Sequence, residues 1–129
     1  MSKRVMGIIV LFLMMVIPSS GIGQDGEVII GQQIILRIRF AAGGLSIQQR
    51  ADAVTVRLNE YLGSKPFDPS KVKVANVNGE YCVMISNNLI ITADKDTARY
   101  KQATPKQLAE MWASNIRKAI PKAKAEKGG

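Results

Sequence analysis

Two hydrophobic rhythms run along this chain, a period of two and a period near 3.6, and the switches between them predict its elements. Glu27 to Ile30 and Gln33 to Phe40 read as strands, and Gly31-Gln32 between them suits a two-residue hairpin turn with glycine first. In the second strand Ile34, Leu36, Ile38 and Phe40 share one face, expected to be buried. Gln33, Ile35, Arg37 and Arg39 share the other, expected to be largely wet, although the apolar Ile35 on that face points to partial cover. After the loose connection Ala41–Gly44, Ser46 with Gln49 three residues on forms a capping box, which opens a helix. Ile47, Ala51, Val54, Leu58 and Leu62 draw its apolar stripe, and Gly63 ends it.

Pro66 and Pro69 mark a loop. Lys71 to Val74 alternates again, with Val72 and Val74 inward, and Asn78-Gly79 is a strong hairpin signal. Tyr81 to Ile85, a turn at Ser86-Asn87-Asn88, and Leu89 to Ala93 complete an antiparallel meander whose centre is apolar on both faces. Asp94 to Gln102 is polar and reads as a loop. Thr104, with Pro105 at the first helical position and Gln107 closing a second capping box, starts another helix. Leu108, Met111, Trp112, Ile116 and Ile120 form its buried stripe, and Pro121 is expected to stop it. The order β-β-α-β-β-β-α predicts a two-layer α+β domain over residues 24–121, an antiparallel sheet of about five strands with two helices on one face. Residues 122–129 read as a disordered basic tail.

Ahead of this domain the pattern changes. Lys3 and Arg4 precede an apolar run from Val5 to Ile17, then Pro18 and small residues. That order is the grammar of a secretory signal peptide over residues 1–23, with a cut expected before Gln24 at Gly21-Ile22-Gly23, or alternatively at Ser19-Ser20-Gly21. An uncleaved membrane anchor is the alternative, but Pro18 to Gly21 weaken the far end of a span that needs roughly 20 apolar residues. Either reading sets the domain outside the cytoplasmic membrane, secreted or in the periplasm. No cysteine near the apolar run offers a lipoprotein anchor, and the lack of any N-x-S/T site is compatible with a bacterial source.

The formal charge is +8; removing Lys3 and Arg4 from the 18 basic residues leaves 16 against 10 acidic, or +6. Lys122, Lys124 and Lys127 concentrate part of that charge after Pro121. Attraction to anionic wall polymers or lipid heads is physically reasonable. The export signal and the lack of a basic-aromatic motif argue against nucleic acid. Cys82 is the only cysteine, so no intrachain disulfide forms, and its apolar setting predicts a buried thiol.

Candidate chemistry is sparse. The chain has no histidine, which removes Ser-His-Asp and Cys-His catalysis and the commonest transition-metal ligand. One cysteine cannot build a zinc site, and Gly43-Gly44 lacks the spacing of a phosphate loop. No cofactor, metal or catalytic set is expected. Asp94-Lys95-Asp96 is the best acidic cluster; turn capping by the aspartates is favoured over a cation site or a glycosidase pair. The uncovered sheet face carrying Arg37 and Arg39 is the expected contact surface for a partner, with Arg50 and Arg57, seven apart on the first helix, and Asp96 as further candidates. The two helix arginines are expected to flank the stripe with stems packed and heads in water.

Arg50-Ala51 and Arg57-Leu58, after a strand ending Leu36-Arg37-Ile38, and the later Leu89-Ile90-Ile91-Thr92, Asp96 and Leu108-Ala109 give the chain a resemblance. From Glu27 to Ile120 it resembles the small extracytoplasmic domain that precedes the membrane region of some bacterial small-conductance mechanosensitive channel proteins. Thr97 departs from the alanine expected there, and the membrane helices and pore of those channels do not follow within this sequence. The resemblance therefore implies a cell-envelope location and an accessory or sensing module, not channel activity. The expected function is a non-enzymatic envelope domain that binds an envelope or membrane protein, or an anionic wall or lipid component. A carboxylate-dependent envelope hydrolase using Asp94 and Asp96 and a self-associating structural protein are the alternatives; the sequence leaves the oligomeric state open.

Overall fold

The structure, a computed structural model, describes residues 26–63 and 65–128. The expected signal peptide over 1–23 and its cleavage site lie outside the described residues. Five strands and three α-helices follow in order: β1 (Glu27–Ile30), β2 (Gln33–Arg37), α1 (Ile47–Leu62), β3 (Val72–Val77), β4 (Glu80–Ile85), β5 (Asn88–Thr92), α2 (Lys95–Tyr100) and α3 (Pro105–Gly128), with a short 3-10 turn at Pro69–Lys71. This is a mixed α+β fold. The strands form two antiparallel sheets, β1-β2 and β3-β4-β5, where a single five-stranded sheet was expected.

Local chemistry explains most of the elements. At the start of α1, Ser46 Oγ accepts from Gln49 N at 3.1 Å and Gln49 Oε1 accepts from Ser46 N at 2.9 Å. Thr104 and Gln107 repeat that reciprocal bonding before α3, at 3.1 and 2.9 Å. Each box satisfies two N–H groups that a helix start otherwise leaves unpaired. Asn78 and Gly79 both take positive φ, 54° and 86°, as a hairpin turn that follows strand twist requires.

In β2 the face assignment changes. Val28 pairs with Leu36 but Ile29 pairs with Ile34, so Ile35 is an extra residue in the ladder. That bulge turns the strand over. Ile35, Leu36 and Ile38 are all buried, whereas Ile34, expected inside, is half exposed. The strand ends at Arg37 rather than Phe40.

The core is one cluster. Trp112, Leu108, Ile116 and Ile120 of α3 join Val54 and Leu58 of α1, Val83 and Ile85 of β4, and Ile90 of β5. Met111, expected in the α3 stripe, is exposed. Both Cys82 and its neighbour Val83 are buried, so β4 is covered on its two faces, as its apolar run predicts. Helix α3 packs across β2, β3 and β4, while α1 packs on β1 and β5.

Two segments depart from expectation. The polar run after Asp94 is helical from Lys95 to Tyr100, burying Thr97 and Ala98. Helix α3 continues through Pro121 to Gly128, where a stop and a disordered tail were expected. Tertiary contacts compensate for the hydrogen bond that proline removes: Ala123 is buried, and Lys124 Nζ donates to the carbonyls of Tyr61, Gly63 and Lys65 at 2.8, 3.1 and 3.2 Å.

Candidate functional site

A cleft of about 200 Å³ lies between α1 and β5. Its charged lining is Arg50, Arg57, Glu80 and Asp94; its apolar lining includes Leu45, Ala53, Leu89 and Ile91. The two helix arginines owe their shared aspect to their spacing, since seven residues are close to two turns and rise about 10 Å.

Both arginines take carbonyls of β5, which among the described residues is an edge strand paired only with β4. Arg50 Nη2 donates to Thr92 O at 2.9 Å, and Arg57 Nη1 donates to Ile90 O at 2.8 Å. Because Ala93 N donates to Tyr81 O of the neighbouring strand, the alternation of backbone groups turns Thr92 O away from β4. The guanidiniums thus occupy acceptors that an incoming strand would otherwise use.

Arg50 is 7% exposed, so the expectation that its head lies in water is overturned. Its Nη1 donates to Phe40 O at 2.9 Å and to Asp94 Oδ1 at 3.0 Å. One side chain therefore joins the segment after β2, the end of β5 and the start of α2. The other oxygen of Asp94 accepts from the backbone N and the hydroxyl of Thr97, both at 2.8 Å, capping α2. The capping role expected of Asp94 is found, together with a counter-ion role that the sequence does not display.

Arg57 differs. It is exposed, and beyond its bond to Ile90 O its N–H groups have no protein partner among the described residues. Glu80, at the start of β4, is exposed and has no ion-pair partner among the described residues. The Ala42–Leu45 turn forms one wall. Its ends exchange backbone hydrogen bonds at 3.0 and 3.1 Å, and Gly43 and Gly44 between them both take positive φ, 61° and 80°, which glycine adopts at least cost.

The remaining candidates lie elsewhere. Arg37 is ion-paired to Glu27, its cross-strand neighbour. Arg39 lies over the Tyr100 ring, 4.5 Å from its centroid. The Nε atoms of both are buried without a hydrogen-bond partner among the described residues. Asp96 is exposed and pairs with Arg99 at 3.4 Å along α2. Sequence reasoning missed Glu80, Leu45 and Leu89 as cleft residues. The arginine spacing and the acidic cluster at Asp94 are what signalled the site in advance.

Among the described residues there is no cluster of three or more His, Cys, Asp or Glu side chains placed to hold a metal, and no helix long and apolar enough to cross a membrane. The family model described as Domain of unknown function (DUF8459) matches residues 27–123, and the chain belongs to that family. No curated protein and no solved structure matches the chain.

Proposed function

We propose that this DUF8459 member is an exported, non-catalytic binding module of the cell envelope, and that it recognises its partner through the α1–β5 cleft. The observation that carries the reading is Arg57: a guanidinium anchored at one N–H by Ile90 O, with its other donors available, beside apolar walls. A guanidinium is suited to planar, bidentate recognition of anions. The signal-peptide pattern supports export, and the resemblance to an extracytoplasmic channel domain supports an accessory or sensing role. Packing of α1 and α3 on the strands fits the two-layer arrangement expected from the element order.

The hydrolase alternative is disfavoured by the commitments of Asp94. A general acid or base needs a carboxyl group free to exchange protons with substrate, and both oxygens of Asp94 are held, one by Arg50 and one by Thr97. Arg37 and Arg39 are also less available for contact than the alternation pattern implied, one paired with Glu27 and the other stacked on Tyr100.

The test is crosslinking capture from intact envelopes with the tagged full chain, followed by mass spectrometry. Wild type is expected to enrich one envelope component. Arg57→Glu is expected to lose it, and the Arg37→Glu/Arg39→Glu pair to retain it, with circular dichroism checking the fold of each. Capture that Arg57→Glu leaves unchanged overturns the assignment of the cleft; an absence of any enriched component overturns the binding reading.

A further inference from the structure

The charges lining the cleft sort into two ends. Arg50 and Asp94 neutralise each other, which leaves Arg57 and Glu80 as its two charged groups without an ionic partner among the described residues. Arg57 is fixed at Ile90. Glu80 lies at the other end. Tyr81 O accepts from Ala93 N, and Cys82 is the register partner of Thr92, so the ladder sets Glu80 beside Asp94. Ile90 and Asp94 are four residues apart along an extended chain, or about 13 Å at the usual strand rise. Between them lie Ile91 on the strand side, with Leu89 just past Ile90, and Ala53 on the helix side, with Leu45 on the turn; the Arg50 guanidinium, neutralised by Asp94, is held at Thr92 O.

We propose that this cleft binds a short apolar peptide with both ends free, its C-terminal carboxylate on Arg57 and its N-terminal ammonium near Glu80. The proposal rests on the cleft being the recognition site and adds the ligand class. Three arguments carry it. First, the available charges are opposite in sign and lie at opposite ends, so an anion alone would leave Glu80 unanswered and a cation alone would leave Arg57 unanswered. Second, three extended residues span roughly 10 Å, which suits the separation once the exposed Glu80 side chain leans inward. Third, apart from the mutually neutralised Arg50 and Asp94, the lining is largely aliphatic, and a cleft of about 200 Å³ favours small side chains. The edge carbonyls of β5 are already occupied by the two arginines, so recognition runs through the peptide's ends and its small side chains rather than through an added strand.

Trialanine is the probe, titrated into the isotopically labelled full chain and followed by amide and arginine Nε–H resonances. Saturable shifts are expected at Ala53, Arg57, Glu80 and Leu89. N-acetyl-trialanine and trialanine amide, each lacking one terminal charge, are expected to bind about tenfold more weakly, because each forfeits a charge-assisted contact. Glu80→Gln should erase the preference for the free ammonium while keeping that for the carboxylate, and Arg57→Gln should do the reverse. Because each variant retains one preference, a collapsed fold is distinguishable from a lost contact. Equal binding of the three peptides by wild type, or no saturable shift with trialanine, overturns the proposal. If Arg57-dependent capture of an envelope component persists when trialanine fails, the ligand class is wrong and the binding module stands. If capture fails as well, both readings fall.

Discussion

Arg50 and Asp94 form a buried ion pair, 3.0 Å between Nη1 and Oδ1, with side chains 7% and 10% exposed. Neither group serves only the other. Arg50 also satisfies the carbonyls of Phe40 and Thr92, and Asp94 also caps α2. The pair therefore ties three chain segments that share no strand pairing.

Breaking that pair from one side is predicted to be severe. Arg50→Met keeps much of the aliphatic stem but leaves a buried carboxylate and two carbonyls without their donor. Loss of one partner of a buried pair typically costs about 3–5 kcal/mol, and urea unfolding is expected to show a loss in that range. Asp94→Asn should cost less than Asp94→Ala, because asparagine is as good an N-cap as aspartate. An Arg50→Met variant within about 1 kcal/mol of wild type would show that water or rearrangement replaces the guanidinium.

How much of this was legible in the sequence depends on range. Both capping boxes and the Asn78-Gly79 turn are contacts within three residues, and the residue types alone announce them. The bulge at Ile35 is a property of pairing with β1, so strict alternation through the strand put Ile34 on the wrong side. Helix α2 buries only Thr97 and Ala98, too little to draw a stripe in a polar run. Within the site, the seven-residue spacing of Arg50 and Arg57 was readable. Their acceptors were not, because Ile90 O and Thr92 O are backbone atoms 33 and 42 residues away that every residue type carries alike.

Pro121 and Lys124 show the same division. A local rule ends the helix at the proline, yet the turn beyond it docks through Ala123 and through Lys124, whose ammonium closes the C-terminal end of α1. A cation there meets the negative end of the helix dipole and carbonyls with no partner inside the helix. Lys124→Ala is predicted to lower stability by about 1 kcal/mol and to speed amide exchange in the last turn of α1, around Asn59 to Leu62. Unchanged exchange there would mean that the lysine contact contributes nothing to holding α1.

Asp68 makes the short turn at Pro69–Lys71 sensitive to pH. Its carboxylate accepts from Ser70 Oγ at 2.8 Å and Ser70 N at 2.9 Å, and these bonds hold its pKa below the ordinary value of 3.8. The hydroxyl bond is the larger cause, with nearby Lys71 a smaller one. A depressed folded-state pKa means that the turn's contribution is complete above the unfolded-state value and fades as pH falls through the lower folded-state value. Carboxyl-detected NMR titration should place the Asp68 midpoint below 3.8, and Ser70→Ala should move it upward. A midpoint indifferent to Ser70→Ala would assign the depression to another source. Above pH 5 the carboxyl is ionised in both the folded and unfolded states, so global stability between neutral pH and pH 5 is expected to be flat with respect to it.

The thiol of Cys82 reports on the Arg50 pair from within the core. Cys82 is 2% exposed, and its Sγ lies 3.5 Å from Thr92 Oγ1, on the same residue whose carbonyl Arg50 holds. A buried thiol reacts with a disulfide reagent only when the protein opens, so its labelling rate follows the free energy of opening when reclosing is fast. Native protein is therefore expected to label slowly at neutral pH and at once in denaturant. If Arg50→Met costs about 3 kcal/mol, labelling should accelerate by about a hundredfold, at 1.4 kcal/mol per factor of ten. Lys124→Ala, acting on α1 at a distance from β4, should change it by roughly tenfold or less. Slow labelling in Arg50→Met together with a large loss in urea stability would mean that β4 and β5 stay closed while the Arg50 end of the fold opens first. In that case the guanidinium fastens a peripheral joint between segments, and the β3-β4-β5 sheet keeps its integrity without it.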